Sequence, residues 1–274
     1  MKPKLIFLDI DGTLTLPGAN EVPESALTAI RKAQENGHQI FLCSGRNLGM
    51  LKPLMRYHFA GAVSSSGGVV TVGEKLLYDC PMEQDDFELA MRLLGESGVY
   101  RGPEAKEGAW CDAGMGEFLV RQTGNSELLR WRKAIEIDLN MRPLSEYDGR
   151  SVYKIVFMCE REEQLEPVRK ALGEKYHILI QNSKPYTTCV NGELNNRKFS
   201  KGTGIQLVAK ELGFDLADTI GFGDSMNDLE MMETVGYSVC MGNGSDSLKE
   251  ICDYVCPPIE EDGLARAFET LGLA

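Results

Sequence analysis

Two carboxylates near the N-terminus, Asp9 and Asp11, follow a run of four apolar residues, Leu5–Leu8. The apolar run predicts a buried strand, and residues two apart on a strand point to the same side. Two like charges at that spacing repel, so a buried pair must share a proton or bind a cation. Gly12 permits a turn out of the strand, and Thr13 offers a hydroxyl that can hold the loop. A strand end with two solvated acids is the alternative for this stretch alone.

A second acidic cluster follows the predicted strand over residues 218–223. Asp224, Asn227 and Asp228 stand three and four apart, which places them on one face of the first turns of a helix. The alternative is that Asp224 is only a helix N-cap, because acids are favoured in the first turn. We expect this cluster to meet the first acidic pair, since ligand sites in parallel sheets form at the carboxyl ends of the strands. Several carboxylate oxygens at one place suit Mg²⁺.

Two further stretches could complete a site for phosphate chemistry. Ser44 and Gly45 end a second predicted strand and offer a hydroxyl and backbone N–H groups to an anion. Lys201 precedes a predicted helix and could bring an ammonium to the acids. The alternatives are a simple serine N-cap and a solvated surface lysine. Together these groups suffice for phosphoryl transfer, which needs positioning and charge neutralisation, and a route through a phosphorylated aspartate is open.

The elements that must position these residues alternate between strands and helices with short connections. The pattern predicts an α/β fold with a doubly wound parallel sheet (Rossmann-like). Helices are predicted between residues 23 and 37, 47 and 57, and 201 and 212, and after residues 224, 246 and 258. Strands are predicted at residues 5–8, 38–43, 62–63, 218–223, 237–241 and 253–256, with a hairpin at 69–72 and 75–78.

The middle of the chain has a different character from about Glu83 onward. Predicted helices at 85–94, 126–137 and 162–172 alternate with predicted strands at 117–121, 152–158 and 176–181, and no strand there ends in a catalytic-looking cluster. We therefore predict a core formed by residues 1–83 and 190–274, with an inserted α/β domain over residues 84–189. Four cationic residues of the insertion are interpreted as solvated surface rather than as anion contacts: Arg101, Arg121, Arg132 and Lys154.

The composition is that of an ordinary globular protein, with 274 residues, of which 43% are hydrophobic and 26% charged. A net charge of -12 disfavours nucleic acids and anionic membranes as partners. There is neither an apolar run of membrane-spanning length nor a signal-peptide pattern. Eight scattered cysteines favour reduced thiols and a cytoplasmic location. The sequence leaves the oligomeric state open.

Four short segments together resemble the motifs of the haloacid dehalogenase (HAD) superfamily, and their order and spacing resemble its Cof-type hydrolase branch. They are Leu8–Thr13, Ser44–Arg46, Lys201–Gly202 and Gly223–Asp228. The middle of the chain is similar to the α/β cap of that branch in position and size. The resemblance implies a phosphatase core with a cap that closes over the active site, excludes water and selects the leaving group.

The resemblance also implies roles for the charged motif residues. Asp9 would form the aspartyl-phosphate, and Asp11 would protonate the leaving oxygen and then activate water. Lys201 would offset negative charge on Asp9 and the phosphate. Mg²⁺ would be held by the carboxylates of Asp9 and Asp224 and by the main-chain carbonyl of Asp11, with Asp228 in support.

The remaining motif residues are implied to bind phosphate. Ser44, the Gly45 amide and Asn227 would hold phosphoryl oxygens. One stretch departs from the family pattern, because Ser66–Gly68 stands where relatives usually have Asn-Gly-Ala. Serine lacks the amide group of asparagine, so a substrate contact made at this place would differ.

The predicted function is Mg²⁺-dependent hydrolysis of a small phosphorylated metabolite, such as a sugar phosphate. A sugar phosphomutase could use the same residues and return the phosphoryl group to a sugar. A phospho-receiver signalling module also combines acids, a hydroxyl and a lysine, but it lacks a large insertion. A catalytically silent metabolite-binding protein is the remaining alternative.

Overall fold

The computed structural model describes residues 2–121, 141–180 and 189–274. Contacts within the chain separate two compact units, which we call the first unit (Met1–Asp79 with Phe199–Ala274) and the inserted unit (Cys80–Lys198). The sequence prediction divided the chain after residues 83 and 189 instead, and the role of the insertion in selecting the substrate stays a prediction. In the described part of the chain, every helix is too short or too polar to cross a membrane.

The first unit is built on an eight-stranded sheet. Its strands are β1 Leu5–Leu8, β2 Gln39–Cys43, β3 Gly61–Ser64, β4 Val69–Val72, β5 Lys75–Asp79, β12 Thr219–Gly223, β13 Tyr237–Cys240 and β14 Tyr254–Val255. They lie in the order β14-β13-β12-β1-β2-β3-β4-β5, parallel from β14 to β3, with β4 and β5 forming an antiparallel hairpin at one edge. The predicted doubly wound parallel sheet is confirmed.

Helices cover both faces of this sheet, because successive residues of a strand point to opposite sides. Ile6 packs in the core cluster that contains the helices Glu24–Glu35 and Gly263–Thr270. Phe7 faces the other way, into the cluster that contains the helix Lys201–Leu212. The other helices of this unit are Leu48–Met55, Leu229–Thr234 and Asp246–Lys249.

The inserted unit has its own six-stranded sheet. Its strands are β6 Tyr100–Ala105, β7 Gly108–Cys111, β8 Arg142–Pro143, β9 Val152–Cys159, β10 Tyr176–Ile180 and β11 Val190–Asn196. The order is β10-β11-β9-β6-β7-β8, antiparallel except between β7 and β8. The helices Gln84–Glu96 and Glu166–Leu172 pack on one face, where Phe87 and Val168 meet Phe157 of β9.

One predicted strand of the insertion is wrong, because residues 115–121 form the helix Met115–Arg121. Gly114 has a φ of +86°, and its carbonyl accepts a hydrogen bond of 2.8 Å from the Phe118 N–H, which closes the first turn. Met115 and Phe118 are three residues apart and both are buried with Val156, a helical spacing that outweighs the β propensity of the Phe-Leu-Val run. The predicted helix at 126–137 lies outside the described residues.

The interpretation of the insertion's cations as solvated surface is wrong for Lys154. This lysine is buried, with its ammonium 2.8 Å from Oε1 of Glu193. Arg101 is half-buried and binds both carboxylate oxygens of Asp112 at 2.7 Å, so it supports the insertion's own structure. The Arg121 side chain and Arg132 lie outside the described part.

Candidate active site

Three strand ends of the first unit lie side by side. Leu8, the last residue of β1, is in register with Leu42 of β2 and Phe222 of β12. Asp9 continues β1, and its N–H donates to the Phe222 carbonyl at 2.9 Å. The polar residues that follow each strand therefore emerge at the same edge, as the sequence predicted.

A buried lysine joins two of the acids at this edge. The Lys201 ammonium lies 2.7 Å from Oδ1 of Asp9 and 2.5 Å from Oδ1 of Asp228. Lys201 is 3% exposed and Asp228 is fully buried, so each charge depends on the others for compensation. The N-terminal position of Lys201 in its helix is fixed by Ser200, whose hydroxyl accepts from the Thr203 N–H while the Thr203 hydroxyl accepts from the Ser200 N–H.

Asp224 completes what we call the Lys201 cluster: Asp9, Lys201, Asp224 and Asp228. Carboxylate oxygens of Asp9, Asp224 and Asp228 all lie within 4.8 Å of one another. The second oxygen of Asp228 accepts from the N–H groups of Asp224 and Ser225 at 3.1 and 3.2 Å, so Ser225 rather than Asp224 is the N-cap. A set of three carboxylates held in this way fits a hard divalent cation.

The electrostatics of the cluster favour a bound cation. Burial raises the pKa of Asp9 to about 7, the charge of Asp228 adds to the increase, and Lys201 opposes it. Desolvation alone would lower the pKa of Lys201, but the carboxylates of Asp228 and Asp9 outweigh it and raise that pKa well above its usual value. Two carboxylates thus share one ammonium, and the carboxylate of Asp224 lies beside them.

Glycines at the strand ends allow the acids to converge. Gly12 has a φ of +95°, and a side chain at this position would overlap the Asp224 carboxylate. A side chain at Gly223 would stand 2.6 Å from the carboxylate of Asp228. The Gly12 carbonyl is held by Nδ2 of Asn243 at 2.8 Å, a contact that no short-range pattern in the sequence indicated.

Asp11 does not join the group of three carboxylates. Its two oxygens accept from Nε and Nη2 of Arg46 at 2.9 and 2.7 Å, and Oδ1 also accepts from the Gly18 N–H at 2.7 Å. Arg46 is nearly buried and donates as well to Oδ1 of Asn20 and the Ala19 carbonyl. Arg46 therefore fixes the orientation of Asp11. The sequence analysis included Arg46 in a motif but assigned it no role.

The predicted phosphate-binding residues differ in burial and in their hydrogen-bond partners. Ser44 is buried at the end of β2, and its hydroxyl oxygen accepts from the Arg46 N–H at 3.2 Å. Gly45 lies between them in the same turn. Asn227 is exposed, and its amide oxygen accepts from the Ser225 hydroxyl at 2.8 Å. The role of these three residues in binding phosphate stays a prediction.

Comparisons with known proteins identify the family of the chain. The model of the family of haloacid dehalogenase-like hydrolases matches residues 6–268. The chain belongs to this family. YkrA of Bacillus subtilis, which is described as a phosphatase, is 32% identical over 280 residues, covering 100% of this chain and 99% of its own. The 5-amino-6-(5-phospho-D-ribitylamino)uracil phosphatase YcsE of Bacillus subtilis is 27% identical and covers 96% of this chain and 94% of its own.

Solved structures of the family share the whole fold. The HAD subclass IIB sugar phosphatase BT4131 superposes with a TM-score of 0.77 at 23% identity, covering 99% of this chain and all of that one. The predicted Cof-type membership and the capped α/β fold of the family are thereby confirmed. This haloacid dehalogenase-like hydrolase is a phosphatase.

The stretch that departs from the family pattern has a backbone role in this phosphatase. Ser65 and Ser66 have φ values of 49° and 58°, which place both in the left-handed region that asparagine and glycine tolerate better than serine. Their N–H groups donate to the carbonyls of Arg46 and Ser44 at 2.8 and 3.1 Å. This loop therefore supports the turn that carries Ser44 and Gly45, and residue 66 contributes through its backbone.

Proposed function

We propose that this phosphatase hydrolyses a small phosphorylated metabolite, a sugar phosphate or a similar phosphomonoester, with Mg²⁺ and through a phosphorylated Asp9. One observation carries the proposal: the buried Asp9 carboxylate lies 2.7 Å from the Lys201 ammonium and within 4.8 Å of the Asp224 and Asp228 carboxylates. Such a site can hold a nucleophile, a cation and the charge of a phosphoryl group together.

The residues of the chain act in two steps. In the first, an oxygen of Asp9 attacks phosphorus, the bond from phosphorus to the leaving oxygen breaks, and Asp11 gives that oxygen a proton. In the second, Asp11 takes a proton from water, whose oxygen attacks phosphorus. The Asp9–phosphate bond then breaks, and inorganic phosphate is released with Asp9 restored. Arg46 stabilises the ionised Asp11 that the second step requires.

The metal and phosphate ligands follow from the same positions. The carboxylates of Asp9 and Asp224 and the main-chain carbonyl of Asp11 would hold Mg²⁺, with Asp228 in support. The bound ion supplies positive charge that offsets the phosphoryl oxygens. Ser44, the Gly45 amide and Asn227 would bind the remaining phosphoryl oxygens.

Two relatives support the substrate class. The substrate for which YcsE is named carries a phospho-D-ribityl group. Phosphoglycolate phosphatase 1 of Saccharolobus solfataricus, 26% identical over 92% of this chain, is named for a smaller phosphomonoester. The common feature is a small molecule with one phosphate ester. The insertion, Cys80–Lys198, is the part of the chain that selects among such molecules.

Release of inorganic phosphate from phenyl phosphate and from a panel of sugar, polyol and carboxylic acid phosphates tests the proposal. We expect turnover with Mg²⁺, loss of turnover with a chelator, and a decrease of about 10³-fold or more in Asp9→Asn, because the amide is not a nucleophile. Asp246→Asn is the matched control, since its side chain is 97% exposed. Full turnover by Asp9→Asn contradicts the nucleophile assignment, and isomerisation of a sugar phosphate without phosphate release indicates a mutase instead.

A further inference from the structure

The sheet of the inserted unit carries a row of polar side chains across three adjacent inner strands, β6, β9 and β11. Glu104 of β6, Lys154 of β9 and Asn195 of β11 are direct cross-strand partners, and Glu193 stands two residues before Asn195, so all four share one face of the sheet. They are 3%, 3%, 6% and 8% exposed, in that order. We call this set the Lys154 row.

Hydrogen bonds within the Lys154 row leave two acceptors unused. The Lys154 ammonium donates to Oε1 of Glu193 at 2.8 Å, and Nδ2 of Asn195 donates to Oε2 of Glu193 at 3.1 Å. Oε2 of Glu104 is 3.6 Å from the ammonium, beyond hydrogen-bond distance. This oxygen and Oδ1 of Asn195 are buried without a hydrogen-bond partner among the described residues.

The charges of the row are held in place. Burial raises the pKa of Glu104 to about 7, against the opposing effect of Lys154. Desolvation alone would lower the pKa of Lys154, but Glu104 and Glu193 outweigh it and the pKa is raised. The ammonium therefore persists beside carboxyl groups that outnumber it, so a second anion such as phosphate is a poor complement to this surface.

Stability alone does not require the row. The opposite face of the sheet provides the apolar core, where Ile155 and Phe157 pack beneath the helices Gln84–Glu96 and Glu166–Leu172. On the polar face itself, Val156 and Met158 belong to a separate apolar cluster. Apolar residues in place of a buried ion pair are often no less stable. An apolar wall with a few converging polar groups is the usual composition of a small-molecule site.

We propose that the Lys154 row binds a hydroxyl-rich small molecule, such as the carbon chain of a sugar or polyol. Both unused atoms are acceptors, so the complementary ligand must present donors, and hydroxyl groups do so. A hydroxyl can also accept from the Lys154 ammonium or the Asn195 amide. Where these hydroxyls belong to the phosphorylated substrate, the inference rests on the proposed function and narrows the substrate to polyhydroxy phosphates. Where they belong to an unphosphorylated polyol, it does not.

The experiment measures binding by calorimetry at pH 7.5 with Mg²⁺ in the full-length Asp9→Asn protein, in which turnover is blocked. The probes are a panel of hexose, pentose and polyol phosphates, their unphosphorylated counterparts, and phenyl phosphate, which has no alcohol hydroxyl. Glu104→Gln and Asn195→Leu are added in turn. Glu163→Gln is the control, because it removes the same charge from an exposed position of the same unit.

We expect at least one hydroxyl-rich probe to bind, and Glu104→Gln and Asn195→Leu each to weaken it about tenfold or more. The affinity for phenyl phosphate should be unchanged in both variants, and the control variant Glu163→Gln should bind every probe as the parent protein does. If only the phosphorylated probes bind, the hydroxyls belong to the phosphorylated substrate. If the free polyols bind equally well, the row binds a separate, unphosphorylated ligand. Failure of all hydroxyl-rich probes to bind, or equal losses for phenyl phosphate, overturns the inference.

Two further measurements separate this inference from the proposed function and from misfolding. Turnover of phenyl phosphate by the parent protein tests the phosphatase chemistry alone, so either proposal can fail while the other holds. Thermal unfolding checks each variant, and if Asn195→Leu is not folded, the nearly isosteric Glu104→Gln decides the result. Unchanged binding in a folded Glu104→Gln protein means that the row is only structural.

Discussion

A buried lysine stands among carboxylates in each of the two units, yet the two clusters are built from different parts of a sheet. The Lys201 cluster forms where strands end and a helix begins, so residues far apart in the chain approach one point. The Lys154 row lies within strands, where the pleat fixes each side chain opposite its cross-strand partner. The first arrangement gathers three carboxylates, a set that suits a divalent cation, and the second leaves two buried acceptor atoms, which suit hydroxyl donors.

The difference teaches that burial and charge alone do not define a catalytic site. Both clusters raise the pKa of one carboxyl group to about 7, Asp9 in one and Glu104 in the other, with desolvation as the main cause. Of the two, the Lys201 cluster has a third carboxylate within 4.8 Å and lies at an edge where neighbouring parallel strands end. Perturbed pKa values therefore indicate a candidate, and the surrounding geometry decides the chemistry.

The largest expected effect is on turnover, which should depend on Lys201 and not on Lys154. Lys201→Met should lower kcat for phenyl phosphate by about 10²–10³-fold, because the phosphoryl charge loses a preorganised cation. Lys210→Met, on the exposed side of the same helix, should retain parental turnover. Steady-state kinetics on proteins with matching circular dichroism spectra provide the measurement. A Lys201→Met enzyme with more than half of the parental kcat would show that the ammonium is only structural.

Lys154→Met should instead act on folding. Removing the ammonium leaves Glu193 and Glu104 buried without their cation, which should lower the free energy of unfolding by about 3 kcal/mol. Turnover of phenyl phosphate by the folded protein should change less than twofold. Urea denaturation measures the loss, with Lys170→Met on the exposed surface of the same unit as control.

A compensated variant sharpens that result. Adding Glu193→Leu to Lys154→Met replaces the ion pair by apolar groups and should recover part of the lost stability. Further destabilisation by Glu193→Leu would contradict an uncompensated charge as the cause of the loss.

The pH dependence of stability should distinguish the two raised carboxyl groups. Glu104 has a folded pKa of about 7 against an ordinary value of 4.5, so the folded state binds more protons between these values and its stability falls as pH rises. Between pH 5 and 7 this group should cost about 2 kcal/mol of unfolding free energy. In urea denaturation, Glu104→Gln should remove this part of the decrease in unfolding free energy between pH 5 and 7. The control is Glu163→Gln, which should leave it in place.

The response to Mg²⁺ should distinguish the contribution of Asp9 to the pH dependence from that of Glu104. A cation bound in the Lys201 cluster favours the ionised Asp9, so adding Mg²⁺ should reduce the loss of stability that Asp9 causes as pH rises. The contribution of Glu104 should not respond to Mg²⁺. An equal response of both contributions would mean that the ion acts on the whole protein rather than at one site.

The sequence predicted the Lys201 cluster because its residues stand at strand ends, where short motifs and turn glycines mark the position. The parallel sheet and the convergence of Asp9, Lys201 and Asp228 follow from the alternation of strands and helices, whereas the order of the strands in the sheet was not predicted. The Lys154 row carries no such mark, since Lys154 lies in the run Val152–Cys159 and its partners come from strands far away in sequence. The two-fold hydrogen-bonded ion pair between Asp11 and Arg46 was not predicted either, because such pairing depends on side-chain direction.

The smallest effect concerns the loop after β3, which supports the turn that carries Ser44 and Gly45. Ser66 has φ 58° and ψ 25°, a conformation that costs an ordinary residue about 1 kcal/mol or more. Ser66→Asn should therefore raise the free energy of unfolding by several tenths of a kcal/mol, and Ser66→Ala should leave kcat/KM within about twofold. Ser97→Asn, at φ -85°, should give no such gain in urea denaturation. Since the Ser66 N–H donates to the Ser44 carbonyl, a large fall of kcat/KM in Ser66→Ala would instead mean that the hydroxyl itself contacts the substrate.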